Sequence, residues 1–368
     1  MTRKSFFRKI LQWVAALPAG LAIIVSAAPG APPGLLNEAN PRVQQTMAVQ
    51  RAVTPDLLSL EGILGTAVGQ DDASQIVLVI LVNAEGKNPE EVKRSLPAQI
   101  QGVPVSGRIT EPFRALAHKP SRGGSGISHT AKQTPPIKLG TSGGWSYDLA
   151  NGYCCGGTLG SLINIGGEQY ILSNYHVFES DIVLGGNNRV KQDGDPIIQP
   201  GLIDVGCNRA NAQSVGTLSI RNSLPNYNVD CAIAKVVSGM VDPTGAILEI
   251  GTISAQTIGP ALGQAVKKSG RTSGLTHSTI AGLNATVGVS YENECAGSTA
   301  FTKTFTGQIL ISNTSTFIAA GDSGSLMVED VTTNPRAVGL LFAGSSTYAI
   351  ANPIGDVLAF LGATMVGQ

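Results

Sequence analysis

The spacing of apolar and polar positions divides the chain into two regions of different character. In the first region, residues 43–53 (VQQTMAVQRAV) place apolar side chains at helical spacing, whereas residues 73–84 (ASQIVLVILVNA) form a continuous run typical of a strand buried on both faces. A short helix is predicted over 88–100, where acidic residues would occupy the first turn, and a second strand over 103–110. This order of elements predicts a small α/β domain at residues 35–117.

The second region has the pattern of a β protein. Residues 118–136 are polar and rich in Gly, Ser and Pro, which is the composition of a linker. From residue 137 onward, short apolar runs such as AIAKVV and AVGLLFAG alternate with clusters of Gly, Asn, Asp and Pro. Closely spaced strands with frequent turns predict a sandwich or a barrel. We therefore predict a mainly β fold at residues 137–368, preceded by the α/β domain.

The N-terminal segment follows the layout of a secretory signal peptide. Residues 2–9 are basic, residues 10–28 are apolar and uncharged, and small residues and turn formers follow. An N-terminal membrane anchor is the alternative, because the apolar stretch is close to spanning length, but Pro18 and Gly20 interrupt it. We predict a signal peptide at 1–28 and a protein that is secreted or periplasmic. Once the signal is cleaved, no stable membrane association is expected.

Charge and cysteine content narrow the classes of function. The 25 Lys and Arg are balanced by 25 Asp and Glu, so the chain lacks the basic excess that a nucleic-acid partner requires. The cysteines are Cys154, Cys155, Cys207, Cys231 and Cys295. Their spacing is not that of a metal site, and neither a metal nor a cofactor is predicted. In an exported protein two disulfides are possible and one thiol is left over. We expect Cys231 to be that thiol, because it lies within an apolar strand pattern.

The stretch GDSGS places a serine where a nucleophile could lie. A serine nucleophile needs an exposed hydroxyl on a tight turn, with backbone N–H groups directed at the developing oxyanion. Gly321 and Gly324 flank Ser323 and permit the backbone conformations that such a turn requires. By itself the stretch also fits an ordinary hairpin turn, so a base and an orienting acid must be found.

Four histidines are available as the base. They are His118, His129, His176 and His277. The first two lie in or beside the predicted linker and are expected to be solvated, and His277 fits a surface turn. His176 ends the apolar run QYILSNYHVF, where a strand pattern stops at a polar turn, and is well placed to face a cleft. A structural role is the alternative for a histidine at such a position.

An acid is also needed to orient the imidazole. Asp230 opens the apolar strand of NYNVDCAIAKV, where a carboxylate is costly to bury unless it is paired. We predict that it pairs with His176. A solvated aspartate at the start of a strand is the alternative, and Asp204 in GLIDVGC is the competing acid, although its surroundings fit a loop.

Taken in chain order, ILSNYHVF, VDCAIAKV and GDSGSLMV resemble the three motifs of trypsin-like (chymotrypsin-fold) serine proteases, and residues 266–280 resemble a segment of bacterial secreted members. The resemblance implies two antiparallel six-stranded β-barrels with the site between them. It implies Ser323 as nucleophile, His176 as general base and then acid, and Asp230 as the residue that holds the imidazole. The backbone N–H groups of Gly321 and Ser323 would form the oxyanion hole.

The chain departs from this family at several positions. Phe317 stands six residues before the serine, where trypsin-like specificity would need an acid, and Phe342 stands where many members place a serine that contacts the catalytic acid. Together with Gly344 these residues predict an apolar or small substrate pocket. The resemblance also implies that Asp322 pairs with an N-terminal amine newly formed by cleavage near 118–136; pairing with a local turn amide is the alternative.

We therefore predict a serine endopeptidase that acts on a protein or peptide through an acyl-enzyme intermediate. A protease fold that serves as a binding or scaffold protein is one alternative, and the phenylalanine at position 342 is its best support. A protease that acts on esters or on its own N-terminal segment is another. Residues 35–117 are predicted to be a pro- or regulatory domain, and an intramolecular inhibitor or substrate is a predicted role for this N-terminal segment.

Overall fold

The computed structural model describes residues 36–115, 127–150, 153–179, 189–291, 301–313 and 316–368. The predicted signal peptide, His118, Cys295 and residues 118–126 of the predicted linker lie outside these residues. Within them the fold is mainly β, as predicted. No helix in these ranges is long and apolar enough to cross a membrane.

The N-terminal region alternates helices and strands. Its elements are β1 (Leu36–Asn37), α1 (Pro41–Leu58), β2 (Ile63–Gln70), β3 (Ile76–Asn83), α2 (Pro89–Ser95), β4 (Gln99–Ile100), β5 (Val103–Thr110) and β6 (Phe113–Ala115). Helix α1 begins where the side chain of Asn40 accepts the N–H of Arg42 at 3.0 Å, with a proline in the first turn. Strand β2, which the sequence analysis did not predict, lies between α1 and β3.

The first barrel follows residue 137. Its elements are β7 (Thr141–Trp145), β8 (Leu149–Ala150), β9 (Tyr153–Cys154), β10 (Gly157–Leu159), β11 (Ser161–Ile165), β12 (Glu168–Ser173), α3 (Tyr175–Phe178), β13 (Pro196–Gln199), the 3₁₀ turns Leu202–Val205 and Arg209–Asn211, β14 (Gln213–Ser219) and β15 (Ala232–Val236). Strands β10 and β11 are halves of one segment that bends at Gly160. One half pairs with β7 and the other with β12, which closes a ring of six strands around a core that includes Trp145, Leu162 and Ile233.

The second barrel is closed in the same way. Its elements are β16 (Ala261–Leu262), β17 (Ala265–Gly270), β18 (Gly274–Tyr291), β19 (Phe301–Ser312), β20 (Leu326–Glu329), β21 (Ala337–Gly344), β22 (Tyr348–Pro353), α4 (Ile354–Leu361) and β23 (Thr364–Met365). Strands β17, β18, β19, β22, β21 and β20 pair in that order, and β20 pairs back to β17. All of these pairings are antiparallel, so these strands form a barrel-like sheet, in partial agreement with the two six-stranded barrels that the resemblance implied.

The N-terminal region shares a sheet with the second barrel. Strand β2 pairs antiparallel with the long strand β18, and β3, β5 and β4 extend the sheet beyond β2. Helix α1 covers this extension, with Val53 and Leu57 packed in one core with Leu78 and Ile80. Strand β6 inserts between β18 and β21, and β1 pairs with β16, so together with β2 the N-terminal region contacts the second barrel at three places.

The cysteines and His129 give two checks on the sequence analysis. Cys154 forms a disulfide with Cys207, Cys155 is also disulfide-bonded, and Cys231 is a buried free thiol, as expected. The expectation of a solvated His129 is wrong. Its ring is buried, with Nδ1 2.6 Å from the carbonyl oxygen of Gly140 and Nε2 2.7 Å from Oε2 of Glu249. The end of the predicted linker therefore packs onto the barrels.

Candidate active site

His176 lies on the one-turn helix α3, directly after strand β12. The next two side chains, Val177 and Phe178, are buried in the first barrel and anchor the turn. On its other side, the amide of Asn174 donates to the backbone carbonyl of Asp230 at 2.7 Å. The imidazole is 15% exposed. Short anchors on both sides therefore fix the position of a ring that still reaches solvent.

Asp230 is fully buried two residues before β15, and its carboxylate accepts three hydrogen bonds. Nδ1 of His176 lies 2.7 Å from Oδ2, the hydroxyl of Tyr291 donates to the same oxygen at 2.8 Å, and the N–H of Tyr175 donates to Oδ1 at 2.7 Å. These donors compensate the burial of the charge. With its proton on Nδ1, the neutral imidazole has Nε2 as its acceptor nitrogen.

Tyr291 is a contributor to the site that the sequence analysis missed. Phe342 cannot make the hydrogen bond to the acid that a serine at its position makes in many members of the family. Here the hydroxyl of Tyr291 makes a hydrogen bond to Asp230 instead. The ring of Phe342 instead packs on Phe305, with centroids 4.8 Å apart. Burial first, and then the charge of Asp230, raise the pKa of Tyr291 well above its usual value, so it remains a donor. The sequence signal for Tyr291 is an alternation of apolar and polar or small residues from Leu283 to Tyr291. In the structure every second side chain of this segment is buried, and Tyr291 is the last of them.

Ser323 lies on a tight turn that only glycines permit. Gly321 has φ +95° and Gly324 has φ +91°, both in the left-handed region. A Cβ at Gly324 would also lie 2.4 Å from the carbonyl oxygen of Thr158. That threonine's N–H donates to the carbonyl of Ser323 at 2.9 Å, and the Ser323 hydroxyl donates to the carbonyl of Phe342 at 3.4 Å.

The turn leaves two amides available for a ligand. The N–H groups of Asp322, Gly324 and Ser325 donate to backbone carbonyls at 2.9, 3.0 and 3.0 Å. Among the described residues, the N–H groups of Gly321 and Ser323 have no such partner. They are the two amides that the resemblance assigned to an oxyanion hole.

Asp322, next to the serine, is enclosed by fixed donors. Its carboxylate accepts the N–H groups of Thr272, Ser273 and Ala319 at 2.8, 3.1 and 2.9 Å, and also the Ser273 hydroxyl. The ammonium of Lys268 lies 3.5 Å away, and both side chains are fully buried. Burial lowers the pKa of Lys268, while Asp322 opposes the shift. In this structure the carboxylate is therefore paired locally, and its cation is a lysine of strand β17.

Strand β10 brings the two halves of the candidate site together. A Cβ built on Gly157 would lie 2.6 Å from the Val177 side chain and 3.0 Å from the carbonyl oxygen of Ser323. The residue after His176 and the predicted nucleophile thus flank one glycine of the first barrel. A hydrogen bond joins His176 to Asp230, and the Ser323 turn packs against Gly157 of strand β10.

The three predicted pocket residues lie near the turn but have different surroundings. The ring of Phe317 is buried with Val338 in the core of the second barrel, whereas Phe342 belongs to a separate cluster with Phe305. Gly344 faces Ile318, whose Cγ2 would lie 3.3 Å from a Cβ at the glycine. Ile318, which the sequence analysis did not select, is thus the apolar side chain next to Gly344.

The other candidate residues have partners elsewhere. Asp204 accepts the guanidinium of Arg271 through both carboxylate oxygens, so it is not the partner of His176. His277 is 54% exposed and lies 2.9 Å from Asp330 on the surface. Within the ranges that the structure describes, no group of three or more His, Cys, Asp or Glu side chains is arranged to hold a metal ion.

Comparisons with known proteins find one matching family model and several distantly similar solved structures. A family model described as the Nal1 C-terminal domain matches residues 224–351, a range that contains Asp230 and Ser323 but not His176. Among solved structures, a glutamic-acid-specific serine protease described as using a histidine triad in substrate binding is 19% identical, with a TM-score of 0.42, over 62% of this chain and 100% of that one.

Two further solved structures are similar at the same level. Thermobifida fusca Protease A is 19% identical with a TM-score of 0.39, over 61% of this chain and 98% of its own. Cellulomonas bogoriensis chymotrypsin is 18% identical with a TM-score of 0.36, over 62% and 98%. No curated protein sequence matches the chain. Similarity this distant does not assign an activity.

Proposed function

We propose that the protein is an exported serine endopeptidase that works through Ser323, His176 and Asp230. The observation that carries the proposal is the 2.7 Å hydrogen bond between His176 and a fully buried Asp230, with Val177, the residue after His176, and the carbonyl of Ser323 both beside Gly157 of β10. A buried carboxylate that orients an imidazole beside a serine is the arrangement that acyl transfer requires.

The proposed reaction transfers an acyl group through the serine. The hydroxyl oxygen of Ser323 attacks the peptide carbonyl carbon as Nε2 of His176 takes its proton. The C–N bond breaks and the imidazolium returns that proton to the leaving amine. Water then repeats the sequence on the acyl-enzyme, releasing the acid and restoring the serine. The amides of Gly321 and Ser323 stabilise the oxyanion, and Asp230 stabilises the imidazolium.

The chain's own strand β6 supports a second element of the proposal, an N-terminal region that acts as an intramolecular inhibitor. Peptides commonly bind by adding a strand to a sheet edge. Arg114 and Ala115 pair antiparallel with Gly344 and Ala343, directly after Phe342, whose carbonyl accepts the Ser323 hydroxyl. A chain paired there is directed toward the nucleophile, so β6 occupies the edge where a substrate would dock.

A fluorophosphonate probe tests the activity itself. It reacts with an activated serine, so we expect the wild type to be labelled and Ser323→Ala to be unlabelled. His176→Ala should react about 10⁴-fold more slowly, because the serine loses its base. Folding of each variant is checked by circular dichroism. If the folded wild type stays unlabelled, and a folded variant released from strand β6 stays unlabelled as well, the enzyme is rejected and the scaffold alternative is favoured.

A proline in β6 tests the inhibitory strand. Proline at position 114 removes a backbone N–H and disrupts strand pairing, so Arg114→Pro should raise the rate of fluorophosphonate labelling. Arg114→Ala is the matched control, because it removes the same side chain and keeps the N–H, and its effect should be much smaller. Equal rates for wild type and Arg114→Pro, with both proteins folded, would contradict the inhibitory role.

A further inference from the structure

The carboxylate of Asp230 is shared between the two barrels. The acid, His176 and Tyr175 belong to the first barrel, but the third donor, Tyr291, ends strand β18 of the second. The tyrosine hydroxyl and the imidazole N–H donate to one and the same oxygen, Oδ2. The strength of the bond to the imidazole therefore depends on the tyrosine, because two donors divide the charge of a single acceptor atom.

The ring of Tyr291 is held independently of its hydroxyl. It stacks on Phe301 with centroids 4.8 Å apart and planes 8° from parallel, and it lies 6.4 Å from Phe305. It also meets the imidazole of His176 edge-on, at 5.9 Å and 66°. One side chain thus contacts both members of the His–Asp pair, through its hydroxyl and through its ring.

The remaining contacts of Asp230 are backbone contacts. Besides the N–H of Tyr175 on the carboxylate, the acid's own N–H donates to the side chain of Asn352 at 2.9 Å, and its carbonyl accepts the amide of Asn174. Of the described side chains that hydrogen-bond the carboxylate, Tyr291 is the only one besides His176. Phe342, at the position where the family resemblance expects a serine, has no hydroxyl to offer.

We propose that Tyr291 is a positioning residue for the reaction, which fixes Asp230 and through it the imidazole of His176. The inference rests on the proposed serine chemistry. Tyr291 ends strand β18 of the second barrel and donates to Asp230 of the first barrel. The position of β18 relative to the first barrel therefore sets the geometry of the His176–Asp230 pair.

Tyr291→Phe separates the hydroxyl from the ring, because phenylalanine keeps the stack on Phe301 and the edge contact with His176. Labelling by a fluorophosphonate is measured over a range of probe concentrations, which separates the maximal rate kinact from the half-saturating concentration KI. We expect kinact to fall about ten-fold, the effect of one hydrogen bond to a charged group, with KI unchanged.

Tyr227→Phe, on the surface, is the matched control and should leave both values unchanged. A purely structural hydroxyl would leave kinact unchanged in a folded variant, and that result would overturn the proposal.

A second measurement does not depend on activity. In protein labelled with ¹⁵N-histidine, the proton on Nδ1 of His176 gives a far-downfield NMR signal, identified by its loss in His176→Ala. Tyr291→Phe should move this signal further downfield, because Oδ2 then has a single side-chain donor. An unmoved signal would reject the role of Tyr291 even if the wild type labels well. A shifted signal in a protein that does not label, even as Arg114→Pro, would reject the protease and retain the Tyr291–Asp230–His176 linkage.

Discussion

Asp230 and Asp322 are both fully buried carboxylates within the candidate site, yet different kinds of partner surround them. Asp230 shares its oxygens among an imidazole, a phenol and one amide, and its donors come from both barrels. Asp322 accepts three amides and a serine hydroxyl and lies beside a buried ammonium, all of them in the second barrel.

The difference separates two roles that a buried carboxylate can have. Asp230 contacts the imidazole that takes and returns a proton in the proposed reaction, so its surroundings suit a step in which the charge of the neighbouring ring changes. Asp322 is saturated by groups that do not change, which suits the fixed shape of the turn that carries Ser323. We therefore expect changes around Asp230 to alter rates first and changes around Asp322 to alter stability first.

Lys268→Met should cause the largest loss of stability. It leaves the Asp322 carboxylate buried without its cation, and breaking a buried ion pair from one side costs about 3–5 kcal/mol of unfolding free energy. Urea unfolding measures the change. Lys267→Met is the matched control, because this lysine donates to the carbonyl of Val331 and, among the described residues, forms no ion pair with a carboxylate, so its cost should be about 1 kcal/mol. Equal losses in the two variants would mean that Asp322 does not depend on the lysine.

Strands, helices and site residues could be predicted from the sequence where they leave a local pattern of apolar, polar and turn-forming residues. Strands β3 and β5 and the start of α2 followed from hydrophobic spacing and turn residues. Helix α2 ends at Ser95 rather than 100, because Leu96 precedes a proline and takes an extended conformation. His176 and Asp230 could be selected because each is a polar residue at the end of an apolar run, and the hydrogen bond between them agrees with that choice.

Other features left no local pattern because their cause lies elsewhere in the chain. Strand β2 (ILGTAVGQ) contains glycines that weaken a strand pattern, but a Cβ at Gly65 would lie 2.4 Å from the carbonyl oxygen of Thr286. The glycine that obscures the strand is the one that lets it approach β18. Tyr291 lies 61 residues from Asp230, so no local pattern links the two. The sequence around Lys268 does not distinguish it from a surface lysine, and its burial beside Asp322 follows only from the fold.

A third buried carboxylate, Asp148, extends the comparison to an acid that lacks such donors. It is 1% exposed, and among the described residues its Oδ1 has no hydrogen-bond partner. Burial raises its pKa from 3.8 to about 8. The folded protein therefore binds a proton there that the unfolded chain has already lost, so the contribution of this group to stability falls as pH rises from 3.8 to about 8.

Asp148→Asn should remove that loss. We expect it to raise the unfolding free energy above pH 8 by about 1–3 kcal/mol, less than the pKa shift alone implies, because a buried amide also lacks partners. Near pH 4 the variant should gain nothing, since the wild-type carboxyl is then neutral in the fold. Asp72→Asn, at an exposed position, should change stability by about 0.5 kcal/mol or less at either pH. Urea unfolding at both pH values measures the difference. A variant that follows the wild type at both would show that the carboxylate finds compensation in the fold, as Asp230 and Asp322 do.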